Sequence, residues 1–421
     1  MSTFAVVTLL LYLAVALAGY GLEYLELSYL GKYGDRVPAE FEGRIDRSLL
    51  EKSRRYTMDS SRFGIISSAC NDVLTILFFF AGALNVYNSW IVSLHINPIV
   101  SGILFFLLLV FADTLLTAPF SIYRTFRIEK KYGFNTMTPG LWVADLIKSL
   151  ILSTILLSLI VSVGLWLIGK SPASWWLWVW LFFLAFSISM TYLFPYVIEP
   201  LFNKFSPVED EDLATGIRSL TGKVGITISR ILKMDASKRT KHTNAYFTGI
   251  GRVKRVVLFD TLLGAMSANE ILSVVGHELG HWKKRHILKH LILIETISLV
   301  VLYLAFRLMH GDTLPGLFGI QEPTVLAKVA LLGLLGSIAS FPMTPVLSLF
   351  SRSHEREADA FACRITNDPD SMISALVKLS KDNLSNLHPH PLYSACYYSH
   401  PPVTERIQNI RNEFRQRALD P

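Results

Sequence analysis

Charge is scarce in this chain. Charged residues make up 17% of it and hydrophobic residues 51%, whereas a soluble domain carries about 25% charged residues. That shortfall excludes an ordinary soluble globular protein. So much apolar surface needs a second apolar solvent, and a bilayer supplies one. Cysteine is nearly lacking too: Cys70, Cys363 and Cys396 form no CxxC pair. This excludes a disulfide framework and a cysteine metal site, and leaves three small buried hydrophobes. No Lys or Arg precedes the first apolar run, Met1 to Tyr20. A secretory signal needs a basic leading region, so this run reads as an uncleaved membrane helix. The formal net charge is +7. On a soluble protein it would hint at nucleic acid, but on a membrane protein Lys and Arg gather in cytoplasmic loops, and nucleic acid drops out as a partner.

What is present is a series of apolar runs. About 20 apolar residues cross a bilayer as a helix. Seven segments qualify: Phe4–Gly21, Phe63–Leu84, Ile99–Phe120, Leu150–Ile168, Trp175–Ile198, Leu291–Phe306 and Ala330–Phe350. Loops 22–62, 121–149, 199–290 and 351–421 hold 8, 5, 15 and 9 of the 40 Lys and Arg, while the alternate loops hold 0, 1 and 2. That asymmetry places the N-terminus outside and the C-terminus inside. The polar regions 199–290 and 351–421 then share the cytoplasmic side. The expected division is a membrane region, 1–198, and a domain, 199–421, interrupted by spans at about 291–306 and 330–350. Asp113 and Glu295 fall within spans. Such acids face either an interhelical hydrogen bond or a hydrated cavity, since facing lipid costs at least a few kcal/mol.

Gly276-His277-Glu278-Leu279-Gly280-His281 contains HExxH. On a helix, positions i and i+4 share a face, so two imidazoles can chelate one Zn²⁺ while Glu278 reaches a bound water. Ser267 and Glu270 form a capping-box pattern that starts such a helix. Taken alone, the motif also describes two surface histidines on an amphipathic helix. A catalytic zinc takes three protein ligands and a water. The third ligand is expected at Glu355, with Asp359 one turn on as the carboxylate that accepts the other ring N–H of a ligating His. Glu357 lies about 200° round that helix and should point away. Residues 242–249 and 255–260 read as two short strands. An edge strand beside a zinc site can pair with an extended peptide, though an ordinary hairpin fits equally. His400 and Arg406 flank a Pro-marked turn into a helix. Near zinc they would supply donors to an oxyanion.

At this point the residues resemble the type I CAAX prenyl endopeptidases, integral-membrane zinc metallopeptidases. The likeness runs through Val37–Gly43, Ser61–Ile65, Pro119–Tyr123, Ile128–Asn135, Pro200–Phe205, Asn244–Phe247 and Val257–Leu263, and it ends with HExxH, ExxAD and SHPP. It implies an α-helical integral membrane protein, with seven transmembrane helices around a hydrated chamber. A small mixed α/β, zincin-like metallopeptidase domain would close the cytoplasmic side. It implies one zinc per chain on His277, His281 and Glu355, Glu278 as general base and Asp359 behind the ligands. Asn244, Ala245, Tyr246 and Phe247 match the substrate strand, and His400 and Arg406 match positions that stabilise the intermediate. The implied partners are a peptide or protein substrate, prenylated or membrane-associated, and the bilayer. The short 307–329 loop and an Ala418–Pro421 ending without a dilysine suit a bacterial inner membrane better than an endoplasmic reticulum. A general membrane quality-control peptidase with no prenyl requirement is the competing function. A transporter or receptor has no use for HExxH with a matched third ligand. An intramembrane-cleaving enzyme would set HExxH within an apolar span, whereas Trp282-Lys283-Lys284-Arg285 follows at once.

Overall fold

In the computed structural model, residues 1–250 and 253–419 are described, so the last two residues of the expected C-terminal ending lie outside them. All seven expected spans form helices long and apolar enough to cross a membrane. They are Thr3–Tyr33, Arg47–Phe80, Pro98–Tyr132, Pro139–Lys170, Trp175–Phe202, His286–Met309 and Val325–Thr366. Between 0% and 22% of each span's most apolar window is buried. Most of the apolar surface of these spans therefore faces away from other protein, as lipid-contacting helices require. Asp113 remains exposed within its span. Glu295 is buried; its Oε2 accepts from Ser298 Oγ in its own helix at 3.4 Å, and its backbone carbonyl accepts from Trp180 Nε1 of the fifth span at 3.0 Å.

Most of these helices run beyond the expected apolar segments, the first to Tyr33 and the third to Tyr132, with the second starting at Arg47 and the fourth at Pro139. Two further ends also differ from the expected ones. The second span stops at Phe80, because Gly82 takes a left-handed φ of 90° and a separate helix, Ala83–Ser93, follows. The seventh span does not end near Phe350. Val325–Ser340 runs through a single turn at Phe341–Met343 into Thr344–Thr366. Glu355 and Asp359 therefore ride on the helical rod that forms the span.

Outside the spans lies a four-stranded sheet in the order β1-β2-β4-β3. Its strands are β1 Phe205–Pro207, β2 Arg230–Met234, β3 Ala245–Ile250 and β4 Val253–Phe259. β3 pairs antiparallel with β4, as the two expected strands do, and forms an edge of the sheet. One core packs the sheet onto the HExxH helix, Ala268–Lys283, through Leu258, Leu262, Val275 and Leu279, each fully buried. A second core joins Phe41 of the first loop to Ala362, Met372, Ile407 and Ile410. Burial of Ile407 turns the adjacent Arg406 towards the HExxH helix.

Candidate metal centre

The HExxH helix starts where its capping box places it. The Ser267 backbone N–H donates to Glu270 Oε2 at 2.7 Å. Glu270 also accepts from Ser374 Oγ at 2.6 Å and Lys378 Nζ at 2.7 Å, which ties this helix to helix Pro369–Asp382. Burial would raise the Glu270 carboxyl, but these donors outweigh it and hold the pKa at about 2.

Two glycines let the HExxH helix meet the Glu355 helix closely. A Cβ on Gly280 would stand 2.9 Å from Ala358 Cα, and one on Gly276 would stand 3.4 Å from Ala362 Cα. The first distance is shorter than real side chains tolerate, so only glycine fits there. At this approach His277, His281 and Glu355 converge, with one ligand atom from each lying within 4.8 Å of the others. His277 Nε2 is 3.1 Å from His281 Nε2 and 3.3 Å from Glu355 Oε2, and His281 Nε2 is 3.1 Å from Glu355 Oε1.

The protons show what this cluster wants. His277 Nδ1 lies 2.8 Å from Asp359 Oδ1 and donates to it, which leaves Nε2 as a lone pair. Glu355 Oε2 is buried without a hydrogen-bond partner. Acceptor atoms thus face one another in a buried space, an arrangement that a cation relieves and that neutral packing does not. Without a cation, and against the effect of burial, the Asp359 and Glu355 carboxylates would put a proton on His277 instead, lifting its pKa to about 10, so the cluster favours a positive charge at its centre. Two imidazoles and one carboxylate are a fitting donor set for a divalent metal with one position left open.

Around this cluster, Asp359 takes a two-pronged ion pair from Arg406, Nε to Oδ2 at 2.8 Å and Nη2 to Oδ1 at 2.6 Å. Arg406 Nη2 is 3.9 Å from Glu355 Oε2. His400 Nε2 lies 3.5 Å from Glu355 Oε1, and its side chain is 59% exposed. Glu278, in the HExxH helix, has no hydrogen-bond partner among the described residues, and burial raises its carboxyl above the ordinary range. Asn244, His400 and Arg406 line one cavity of about 600 Å³. Phe247, His281 and Trp282 line another of about 540 Å³ on the other side of His281. The Phe247 and Trp282 rings meet at 5.4 Å. Tyr246 turns away and donates to Glu199 Oε1 at 2.9 Å. Ala245 is buried against the sheet core. Glu357 indeed points away from the metal cluster, and its carboxylate instead meets His286. Sequence reasoning passed over His286. Its position depends on the left-handed residue Arg285, φ 56°, which no local pattern marks.

Known proteins place this geometry. The family description "CAAX prenyl protease N-terminal, five membrane helices" matches residues 26–204, and peptidase family M48 matches residues 207–414. CAAX prenyl protease 1 of Saccharomyces cerevisiae is 34% identical, with 88% of each chain covered. The chain belongs to the M48 peptidase family. CAAX prenyl protease 1 homolog of Arabidopsis thaliana is 33% identical over 90% of this chain and 91% of its own. The crystal structure of S. mikatae Ste24p superposes with a TM-score of 0.90 at 31% identity, covering 97% of this chain and 99% of that one. This M48 member is therefore an integral-membrane metalloendopeptidase with the Ste24p fold.

Proposed function

We propose that the enzyme binds one Zn²⁺ on His277, His281 and Glu355 and hydrolyses a peptide bond near the C-terminus of a prenylated, membrane-associated protein. The observation that carries the ligand reading is the buried meeting of three acceptors whose remaining polarity is committed elsewhere. The substrate reading rests on the printed names of the relatives, CAAX prenyl proteases. A zinc ion bound there supplies a Lewis acid for the scissile carbonyl and makes water acidic enough to ionise near neutral pH. Glu278 takes the proton of the attacking water and hands it to the leaving amine. The substrate lies along the free edge of β3 as an added strand, with Asn244 to Phe247 beside it. His400 donates to the developing oxyanion. Arg406 holds Asp359 and, through it, the His277 ring, with its remaining amino group free to support the oxyanion.

The two family matches, 26–204 and 207–414, support a division into a membrane region, 1–198, and a peptidase domain, 199–421. The uneven loop charge supports an outside N-terminus and a cytoplasmic metal site. A bacterial inner membrane draws no support from the relatives named above, which come from eukaryotes.

The test is cleavage of paired peptides by purified enzyme. One carries a farnesylated C-terminal CAAX sequence, and the other is the same peptide without the lipid. Faster cleavage of the lipidated peptide, lost together with one equivalent of zinc in His277→Ala, is the expected result. Equal cleavage of both peptides favours the general membrane peptidase. Full zinc retention in a His277→Ala, Glu355→Ala double variant removes the ligand assignment.

A further inference from the structure

The ring of His277 is held from behind by Asp359. The ring of His281 has a different partner. His281 Nδ1 lies 3.0 Å from His286 Nδ1, and His286 Nε2 lies 3.3 Å from Glu357 Oε2. The three groups form a chain that leads outward from the metal cluster. His286 is buried, with 4% of its side chain exposed, while Glu357 reaches water at 41%. The His286 ring lies flat on His354, centroids 3.9 Å apart and planes 8° from parallel, and His354 meets Phe350 edge-on at 4.3 Å. A buried imidazole stacked on one face and held at both nitrogens is a costly feature for simple packing.

Only one proton arrangement satisfies the chain with neutral rings. His281 turns Nε2 to the cluster, so its proton sits on Nδ1 and is donated to His286 Nδ1. His286 then carries its proton on Nε2 and donates it to Glu357 Oε2. Donation runs outward at each step and ends on a carboxylate. We infer that His286, backed by Glu357, is the positioning residue for the metal ligand His281, fixing its tautomer and its ring orientation. This rests on the ligand reading proposed above.

The backbone agrees with that role. The HExxH helix ends at Lys283, and Arg285 takes a left-handed conformation, φ 56°, before the sixth span opens at His286. That conformation is unfavourable for a non-glycine residue. The reversal brings the first residue of a membrane span back against a ligand of the preceding helix. Glu357 comes from the rod of the seventh span. His281 is thereby clamped between the sixth and seventh spans.

The experiment measures zinc affinity of purified full-length protein by chelator competition, together with the visible spectrum of the Co²⁺-loaded form. His286→Ala should weaken zinc by about 10–100-fold, as loss of an outer hydrogen-bond partner does. His286→Asn, whose Oδ1 can accept in place of Nδ1, should recover part of that loss. Glu357→Ala should weaken zinc by a smaller factor. The His286→Ala, Glu357→Ala double variant should be no worse than His286→Ala alone, because the two act in series. The Co²⁺ bands should shift in the alanine variants, which a purely structural role would not produce. Zinc affinity within about twofold of the parent in both single alanine variants, with unshifted Co²⁺ bands, overturns the clamp. If His286→Ala does not fold, Glu357→Ala at its exposed position decides by the same measurements. His281→Ala separates the two levels. If it retains full zinc affinity, the ligand reading fails and the clamp with it. If it loses zinc while His286→Ala and Glu357→Ala keep theirs, the clamp alone is overturned.

Discussion

Glu278 has no partner within the described protein, although it sits beside a buried cluster of two imidazoles and a carboxylate. A carboxylate left unbonded at that place is available to water, as a general base must be. Glu278→Gln preserves volume and removes the base. It should abolish turnover while zinc content stays near one equivalent, and near-normal turnover would remove the general-base role. Glu270 carries the pH prediction. Its pKa is held at about 2, below the ordinary value near 4.3. A depressed carboxyl stabilises the fold above its ordinary pKa, and that contribution disappears as the pH falls through about 2. Glu270→Gln should therefore lower the melting temperature at neutral pH, with the gap to the parent narrowing below about pH 4. A gap that stays constant to pH 3 would contradict this. At this scale the sequence was most readable where spacing alone fixes a shared face, as for His277 with His281 and Glu355 with Asp359. It was least readable for His286, which reaches His281 only through the reversal at Arg285. Glu357 turns away from the His277, His281 and Glu355 cluster as its helix position suggests, but its partner was hidden because that partner lies 71 residues away in sequence.

At the scale of elements, the decisive contact is between the HExxH helix and the Glu355 helix. The glycine in Glu278-Leu279-Gly280-His281 has a structural reason, since any side chain there meets the Ala358 backbone. Gly280→Ala should push the helices apart and misplace Glu355 relative to both histidines. A loss of about 1–3 kcal/mol in stability is expected from overpacking, together with weaker zinc binding. Thermal melts and chelator competition check both, and a variant that keeps parental zinc affinity would show that the approach does not tune the metal cluster. The capping box at Ser267 was legible because its spacing is local. β3 and β4 were legible from their β-branched and aromatic content. β1 and β2 were not. β1 is three residues long, and β2, Arg-Ile-Leu-Lys-Met, shows no clean alternation. The segment Ile128–Asn135, part of the family likeness, acts as a fastener. Phe134 stacks on His242 at 3.9 Å, and Glu129 Oε2 stands 3.5 Å from His242 Nε2. This joins the third span's extension to the residues that lead into β3.

At the scale of the whole molecule, the seven spans and their approximate positions were legible because hydropathy integrates over about 20 residues and tolerates local error. Where each span ends was not, since helix continuity past Phe350 is set by packing against the HExxH helix. The charge asymmetry makes a topology prediction. Reporters fused after Asp260 and after Asp382 should both report the cytoplasm. Opposite sides for the two would contradict the span count, because Glu355 then would not meet His277. A rod runs with a single tightened turn from the bilayer to Glu355, a proposed metal ligand, and the sixth span begins after two intervening residues beyond the helix that carries the other two proposed ligands. The peptidase is therefore not a module. A water-soluble excision of 199–290 keeps His277 and His281 and loses Glu355, and one of 351–421 keeps Glu355 without its rod. Transplanting this chemistry to another scaffold would mean transplanting two membrane crossings with it, so the bilayer is part of the enzyme's framework and not merely its address.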